Sequence, residues 1–186
     1  EQLEKAVASY ARAIQLKPSY IAAYNNRGNV LKKLGKLEEA VGCYDKVIQL
    51  QPDYAEAYSN RGLALQDLEK WAEAVESYDK SIQLKPDYVE AYSNRGIALQ
   101  KLEQPIEAIK SCDKAIQLKP DYVKAYYNRG IIFESLGQLA QAMESYVLAI
   151  QFKPDFINAR WNLSLLQINN GYLSEGFKNY EARWGL

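Results

Sequence analysis

Asparagine recurs at Asn26, Asn60, Asn94, Asn128 and Asn162, each 34 residues after the last. A carboxamide donates and accepts at once. A row of them at constant spacing can therefore hold the N–H and C=O groups of an extended peptide without reading its side chains. Each such bond contributes about 0.5–1.5 kcal/mol net. Asparagine is also a poor helix former, so its regular return needs a reason. The alternative reason is internal, a set of struts between neighbouring helices, and both readings stand at this stage. Catalysis has far less support. The chain contains no histidine, which removes the commonest general base and a favoured metal ligand. There is no glycine-rich phosphate loop and no cluster of metal-ligating side chains. No catalytic residue, metal ligand or cofactor is expected.

Arginine keeps the same beat at Arg27, Arg61, Arg95 and Arg129, and aspartate follows the first three 18 residues later at Asp45, Asp79 and Asp113. The offset reads as an ion pair inside each repeat, worth roughly 0–1 kcal/mol when exposed. Val147 stands where the partner of Arg129 would be, so Arg129 is the arginine assigned to binding. Cys43 and Cys112 lie too far apart in a repeat array to bridge, which favours reduced thiols and a cytoplasmic setting. Cys112 takes a position held elsewhere by tyrosine and reads as a buried small residue. Cys43 is expected to be more exposed.

The elements that must position these residues are marked by proline. Pro18, Pro52, Pro86, Pro120 and Pro154 share the 34-residue period, the mark of a helical repeat array. Aligned on proline, the chain is a half unit (1–20), four full units (21–54, 55–88, 89–122, 123–156) and a terminal partial unit (157–186). Apolar and small residues at three- and four-residue spacings predict two amphipathic helices per unit. The turns between them fall near Gly35, Glu69, Glu103 and Gly137, and Pro105 is placed to open a second helix. Gly28, Gly62, Gly96 and Gly130, with Ser164 in the last unit, let the second helix approach through Ala40, Ala74, Ala108, Ala142 and Gly176. Tyr44, Tyr78, Tyr146 and Tyr180 fill the space beside that contact. The Pro-Asp pairs offer Asp53, Asp87, Asp121 and Asp155 as N-caps, with capping-box spacing at Asp53–Glu56 and Asp87–Glu90.

This pattern resembles the tetratricopeptide repeat over essentially the whole chain: small residue at the eighth place, Ala at the twentieth, Tyr at the twenty-fourth, small at the twenty-seventh, Pro at the thirty-second. The resemblance implies an all-α, right-handed superhelical solenoid of antiparallel helix pairs, about eleven helices in one array. Its concave wall would be lined by first helices and would hold protein or peptide partners. The asparagine column is similar to the ladder of the O-linked N-acetylglucosamine transferase repeat domain, which binds substrates through their backbone. Beside the column, early units present Asn25, Asn29, Lys32 and Ser59; later ones present Leu63, Ile97, Ile131, Leu165, Tyr127 and Trp161. The apolar set suits a peptide with a few hydrophobic anchors, or else packing between repeats. The carboxylate clamp for chaperone tails does not fit, because Asn25, Glu90 and Asn94 occupy its three basic positions.

Lys+Arg and Asp+Glu balance at 23 each, which points away from nucleic acid and anionic membranes. No apolar stretch is long enough to span a bilayer. The ending Gly171-Tyr-Leu-Ser-Glu-Gly176 through Arg183 and Trp184 resembles bacterial repeat segments that precede a glycosyltransferase-like domain. The chain thus reads as a piece of a longer protein: a non-catalytic peptide-binding scaffold, the substrate-recruiting arm of a bacterial glycosyltransferase, or an architectural rod. Uncovered array ends, with Leu3, Val7 and Tyr10 at one of them, are the expected place for self-association.

Overall fold

The computed structural model describes residues 1–181, which form eleven α-helices and no strand. Two compact units divide the chain, Glu1–Leu102 and Glu103–Leu186, the second described as far as Glu181. The first holds α1 (Gln2–Leu16), α2 (Ile21–Lys33), α3 (Leu37–Leu50), α4 (Ala55–Asp67), α5 (Trp71–Leu84) and α6 (Val89–Lys101). The second holds α7 (Pro105–Leu118), α8 (Val123–Ser135), α9 (Leu139–Phe152), α10 (Ile157–Asn169) and α11 (Leu173–Glu181). Arg183 and Trp184 lie outside the described residues.

A residue in the left-handed region follows each first helix: Gly35 (φ 73°), Gly137 (φ 69°) and Gly171 (φ 83°), but also Glu69 (φ 59°) and Glu103 (φ 58°). The chain then turns back through bonds such as Lys36 N–H to Leu31 O at 2.9 Å and Lys70 N–H to Leu65 O at 2.9 Å, the C-terminal closure that a left-handed residue permits. Pro105 opens α7 as its spacing predicts.

The Pro-Asp junctions differ from expectation. The residue flanking each first helix is aromatic, Tyr54, Tyr88, Tyr122 or Phe156, and no side chain caps these helices. Proline and aspartate form a backbone-closed turn instead, with Tyr122 N–H to Lys119 O at 3.0 Å and Ala125 N–H to Tyr122 O at 3.0 Å. The turn places aspartate before the cap position, so neither the N-cap nor the capping box forms. In the second unit side chains of the first helices reach back to it: Tyr126 Oη donates to Pro120 O at 2.9 Å and Arg160 Nε to Pro154 O at 2.6 Å.

Packing inside a pair runs through glycine, but its counterpart is the tyrosine rather than the alanine. A Cβ on Gly62 would lie 2.7 Å from the Tyr78 ring, and one on Gly28 2.7 Å from that of Tyr44. The flat ring covers the helix backbone, and both tyrosines are fully buried. In the last pair Gly176 packs on α10 instead, where a Cβ would fall 2.6 Å from Ile168 Cγ1 and 3.2 Å from Ser164 O. The cores follow: Leu31, Ala40, Tyr44 and Ala64, then Leu65, Ala74, Tyr78, Ala91 and Ala98 in the first unit; Tyr126, Ala142, Tyr146, Ala149, Ala159, Leu163 and Leu166 in the second. Cys112 is buried as expected, and burial pushes its thiol up to about 12. Cys43 is also buried, at 5% exposure, against the sequence expectation. It belongs to the core around Tyr44.

Candidate functional site

The arginine column resolves into a clamp with a register of its own. Arg61 Nε donates to Asp45 Oδ1 and its Nη1 to Ser77 Oγ, both at 2.7 Å. Arg95 pairs with Asp79 at 2.5 Å. Arg129 Nη1 bonds Asp113 at 2.8 Å, while its Nε bonds Ser145 at 3.2 Å. Each arginine thus ties the aspartate of the preceding second helix. Arg61 and Arg129 also tie a serine of the following one. This corrects two expectations. The pairs join successive repeats rather than the two helices of one repeat, and Arg129 has an aspartate after all. Arg27 is the exception: Ala11 and Cys43 hold the places of aspartate and serine. Among the described residues its ion pair is with Glu39, at 3.8 Å, and its Nε is buried without a hydrogen bond.

Where the clamp would come next, at α9–α10–α11, the three positions hold Val147, Leu163 and Asn179. All three line a cavity of about 440 Å³, together with Ile150, Pro154 and Gln167. A leucine cannot span the gap that an arginine fills.

The asparagine column occupies the first helices with graded exposure. Asn26 is exposed, whereas Asn60, Asn94, Asn128 and Asn162 are half-buried. In the first unit Asn60 Nδ2 donates to Asn25 Oδ1 at 3.3 Å, so one amide orients the other. Asn25 and Ser59, expected beside the column, are buried. Asn29 accepts from Tyr44 Oη at 2.8 Å, and Lys32 lies 3.5 Å from Asp67. Leu63 and Ile97 are half-buried.

In the second unit Asn162 Nδ2 donates to Tyr146 Oη at 3.2 Å. Tyr146 in turn donates to Glu134 Oε2 at 2.6 Å. Burial, reinforced by that carboxylate, raises the Tyr146 phenol far above its ordinary value, so it remains a donor. The Tyr127 ring sits edge-on to Phe156 with centroids 5.2 Å apart and tilted against Tyr146 at 5.9 Å. Trp161 and Tyr180 are 5.3 Å apart. Ile131 packs against the core around Tyr146, while Leu165 is 38% exposed. Sequence reasoning treated Tyr44, Tyr78 and Tyr146 as space fillers and passed over Glu134. The signal was the hydroxyl. Phenylalanine fills the same volume, and here each hydroxyl reaches a polar group of its first helix: Asn29, Gln66 and Glu134.

Models of the TPR repeat match residues 1–35, 28–68 and 67–103, and the tetratricopeptide repeat model matches 89–122 and 123–156. The chain belongs to the tetratricopeptide repeat family. Members of this family are generally protein-interaction scaffolds, and typically non-catalytic. Among solved structures, the chain is similar to the MamA protein (28% identity, 87% of this chain and 88% of that one, TM-score 0.71). It is similar in fold to YrrB, described as a TPR protein with an unusual peptide-binding site (23% identity, 92% and 89% covered, TM-score 0.66). A tetratricopeptide repeat protein from Parabacteroides merdae shares the fold at 20% identity, with 98% and 73% covered and a TM-score of 0.82. No curated protein matches the chain. Among the described residues no helix is long and apolar enough to cross a membrane, and no group of His, Cys, Asp and Glu is placed to hold a metal.

Proposed function

We propose that this tetratricopeptide repeat chain is a non-catalytic scaffold whose first helices bind an extended peptide through asparagine amides. In the first unit the amides are Asn26, Asn60 and Asn94, with Asn29, Leu63 and Ile97 beside them. In the second they are Asn128 and Asn162, with Tyr127, Ile131, Trp161 and Leu165. The observation that carries the reading is the orientation of Asn60. Its Nδ2 donates to Asn25 Oδ1, and its Oδ1 is the atom that would accept a backbone N–H. A pre-set amide loses less freedom on binding than a rotating one. YrrB, a structural neighbour, is described as peptide-binding, which supports the same use of the fold. The 34-residue period runs through the boundary between the units, which supports one array over the whole chain. Arg129 leaves the proposed set, since Asp113 and Ser145 hold its guanidinium.

The test is a paired capture of partners from lysate of the source organism. One bait is the intact chain. The other carries Asn60→Ala, Asn94→Ala and Asn128→Ala and is shown by circular dichroism to remain helical. Partners lost with the triple variant are the expected result; partners retained equally by both return the column to internal packing. A second reading, self-association through an array end, is favoured by Leu173 and Phe177, which are 52% and 53% exposed on α11. A mass in solution that falls from dimer to monomer with Phe177→Gln supports it.

A further inference from the structure

Glu134 lies on α8 one turn beyond Ile131. It is half-buried, and no lysine or arginine pairs with it among the described residues. Its carboxylate is held at one oxygen by the Tyr146 hydroxyl, which is itself fixed by Asn162. The ring of that tyrosine lies 5.9 Å from the ring of Tyr127, which is in turn held edge-on by Phe156. With its Nδ2 turned to the Tyr146 oxygen, Asn162 keeps Oδ1 as an acceptor. The cluster is therefore a fixed set of acceptors and π-faces around one negative charge that no lysine or arginine pairs with among the described residues.

We infer that Glu134, Tyr127 and Asn162 form a seat for a cationic side chain, the ammonium of lysine or the guanidinium of arginine, on a peptide bound by the second unit. Where the cation comes from rests on the peptide-binding reading; the chemistry of the seat does not. An opposite charge next to a partly desolvated carboxylate gains more than it would in open water. An aromatic face within about 6 Å attracts the same cation. A neutral side chain would cover Glu134 without pairing it, and an acidic one would be repelled, so the seat also discriminates. The serine and threonine hydroxyls of a ligand would reach the same oxygens but leave the charge unanswered.

The probes are the blocked amino acids Nα-acetyl-lysine methylamide, Nα-acetyl-arginine methylamide and, as the uncharged control, Nα-acetyl-norleucine methylamide, titrated against the whole chain by NMR. The expected result is saturable shifts of the Tyr127 ring and Asn162 amide resonances with the two cations, at least fivefold weaker with norleucine. Salt should reduce the response, and Glu134→Gln, which keeps an oxygen for the Tyr146 hydroxyl, should abolish it. The stronger of the two cations identifies the preferred head group. An equal response to norleucine, or an unchanged response in Glu134→Gln, overturns the seat. Panning a random peptide library separates the two readings. Peptides enriched without a Lys or Arg position retained by wild type over Glu134→Gln leave peptide binding intact and overturn the seat. A response to the blocked cations with no peptide enriched upholds the seat and removes the peptide.

Discussion

Arg61 reaches back across the repeat junction to Asp45, Nε to Oδ1 at 2.7 Å, and not forward to Asp79 on its own second helix. Asp79 is taken by Arg95, and Asp113 by Arg129. The pairs therefore bear on how repeats stack rather than on how each hairpin folds.

A double-mutant cycle measures this directly. The Asp45→Ala and Arg61→Ala cycle, read by urea unfolding, should show a coupling of about 0.2–1 kcal/mol, because the aspartate is half-exposed and solvent screens the pair. Coupling should shrink in 1 M salt. The Asp45→Ala and Arg27→Ala cycle should show none. Coupling in the second cycle and not the first would restore the pairing inside the repeat.

Gly62→Ala tests the contact between helix backbone and ring. Alanine gains roughly 1 kcal/mol of helix propensity, but its Cβ would sit 2.7 Å from the fully buried Tyr78 ring. Overpacking of this kind costs about 1–3 kcal/mol, so the variant should unfold at lower urea. A rise in midpoint would mean that the ring moves freely.

Glu69 and Glu103 are the two described residues other than glycine at positive φ. Glu69→Gly removes a left-handed penalty of roughly 1–2 kcal/mol and adds part of it back as unfolded-chain entropy. The expected net gain is about 0.5–1 kcal/mol. The turn positions Gly35 and Gly137 serve as internal controls, since Gly35→Glu should lose a similar amount.

Alkaline pH should destabilise the chain through its buried thiols and phenols. Burial raises the Cys112 thiol to about 12, and it raises Cys43, Tyr44, Tyr78 and Tyr146 as well. A group whose folded pKa is raised stabilises the fold fully below its unfolded pKa and loses that contribution as pH climbs toward the folded value. Unfolded thiols ionise near pH ~8.5 and phenols near ~10. Melting temperature should therefore hold to about pH 8 and fall steadily from about pH 9 to 12. Cys112→Ala should flatten the first part of that fall. An identical profile in the variant would show that Cys112 ionises freely in the folded chain.

The legible parts of this protein are those set by neighbours in sequence. Helix spans, the turns at Gly35 and Gly137, Pro105 at the start of α7 and the small residue facing the second helix all follow from local pattern. The capping aspartates misled because Pro-Asp is equally a turn signal, and the backbone-closed turn places aspartate ahead of the cap. Cys43 misled because serine at the matching places suggests exposure. Those serines are buried too: Ser77 accepts from Arg61, and Ser145 from Arg129.

By itself, the sequence determined that this is a repeat array, where its helices turn back, and that an asparagine stands at one place in every unit that has a first helix. Those are matters of period and propensity, and they need no knowledge of what packs on what. Which aspartate an arginine takes was decided only by tertiary structure. Arg61 has one 16 residues behind and another 18 ahead, and a difference of two residues along the chain carries no energy. The choice comes from how one repeat leans on the last. The same holds for Asn162 and Glu134, which lie on different first helices and are joined through the hydroxyl of Tyr146. Only packing brings that hydroxyl to both.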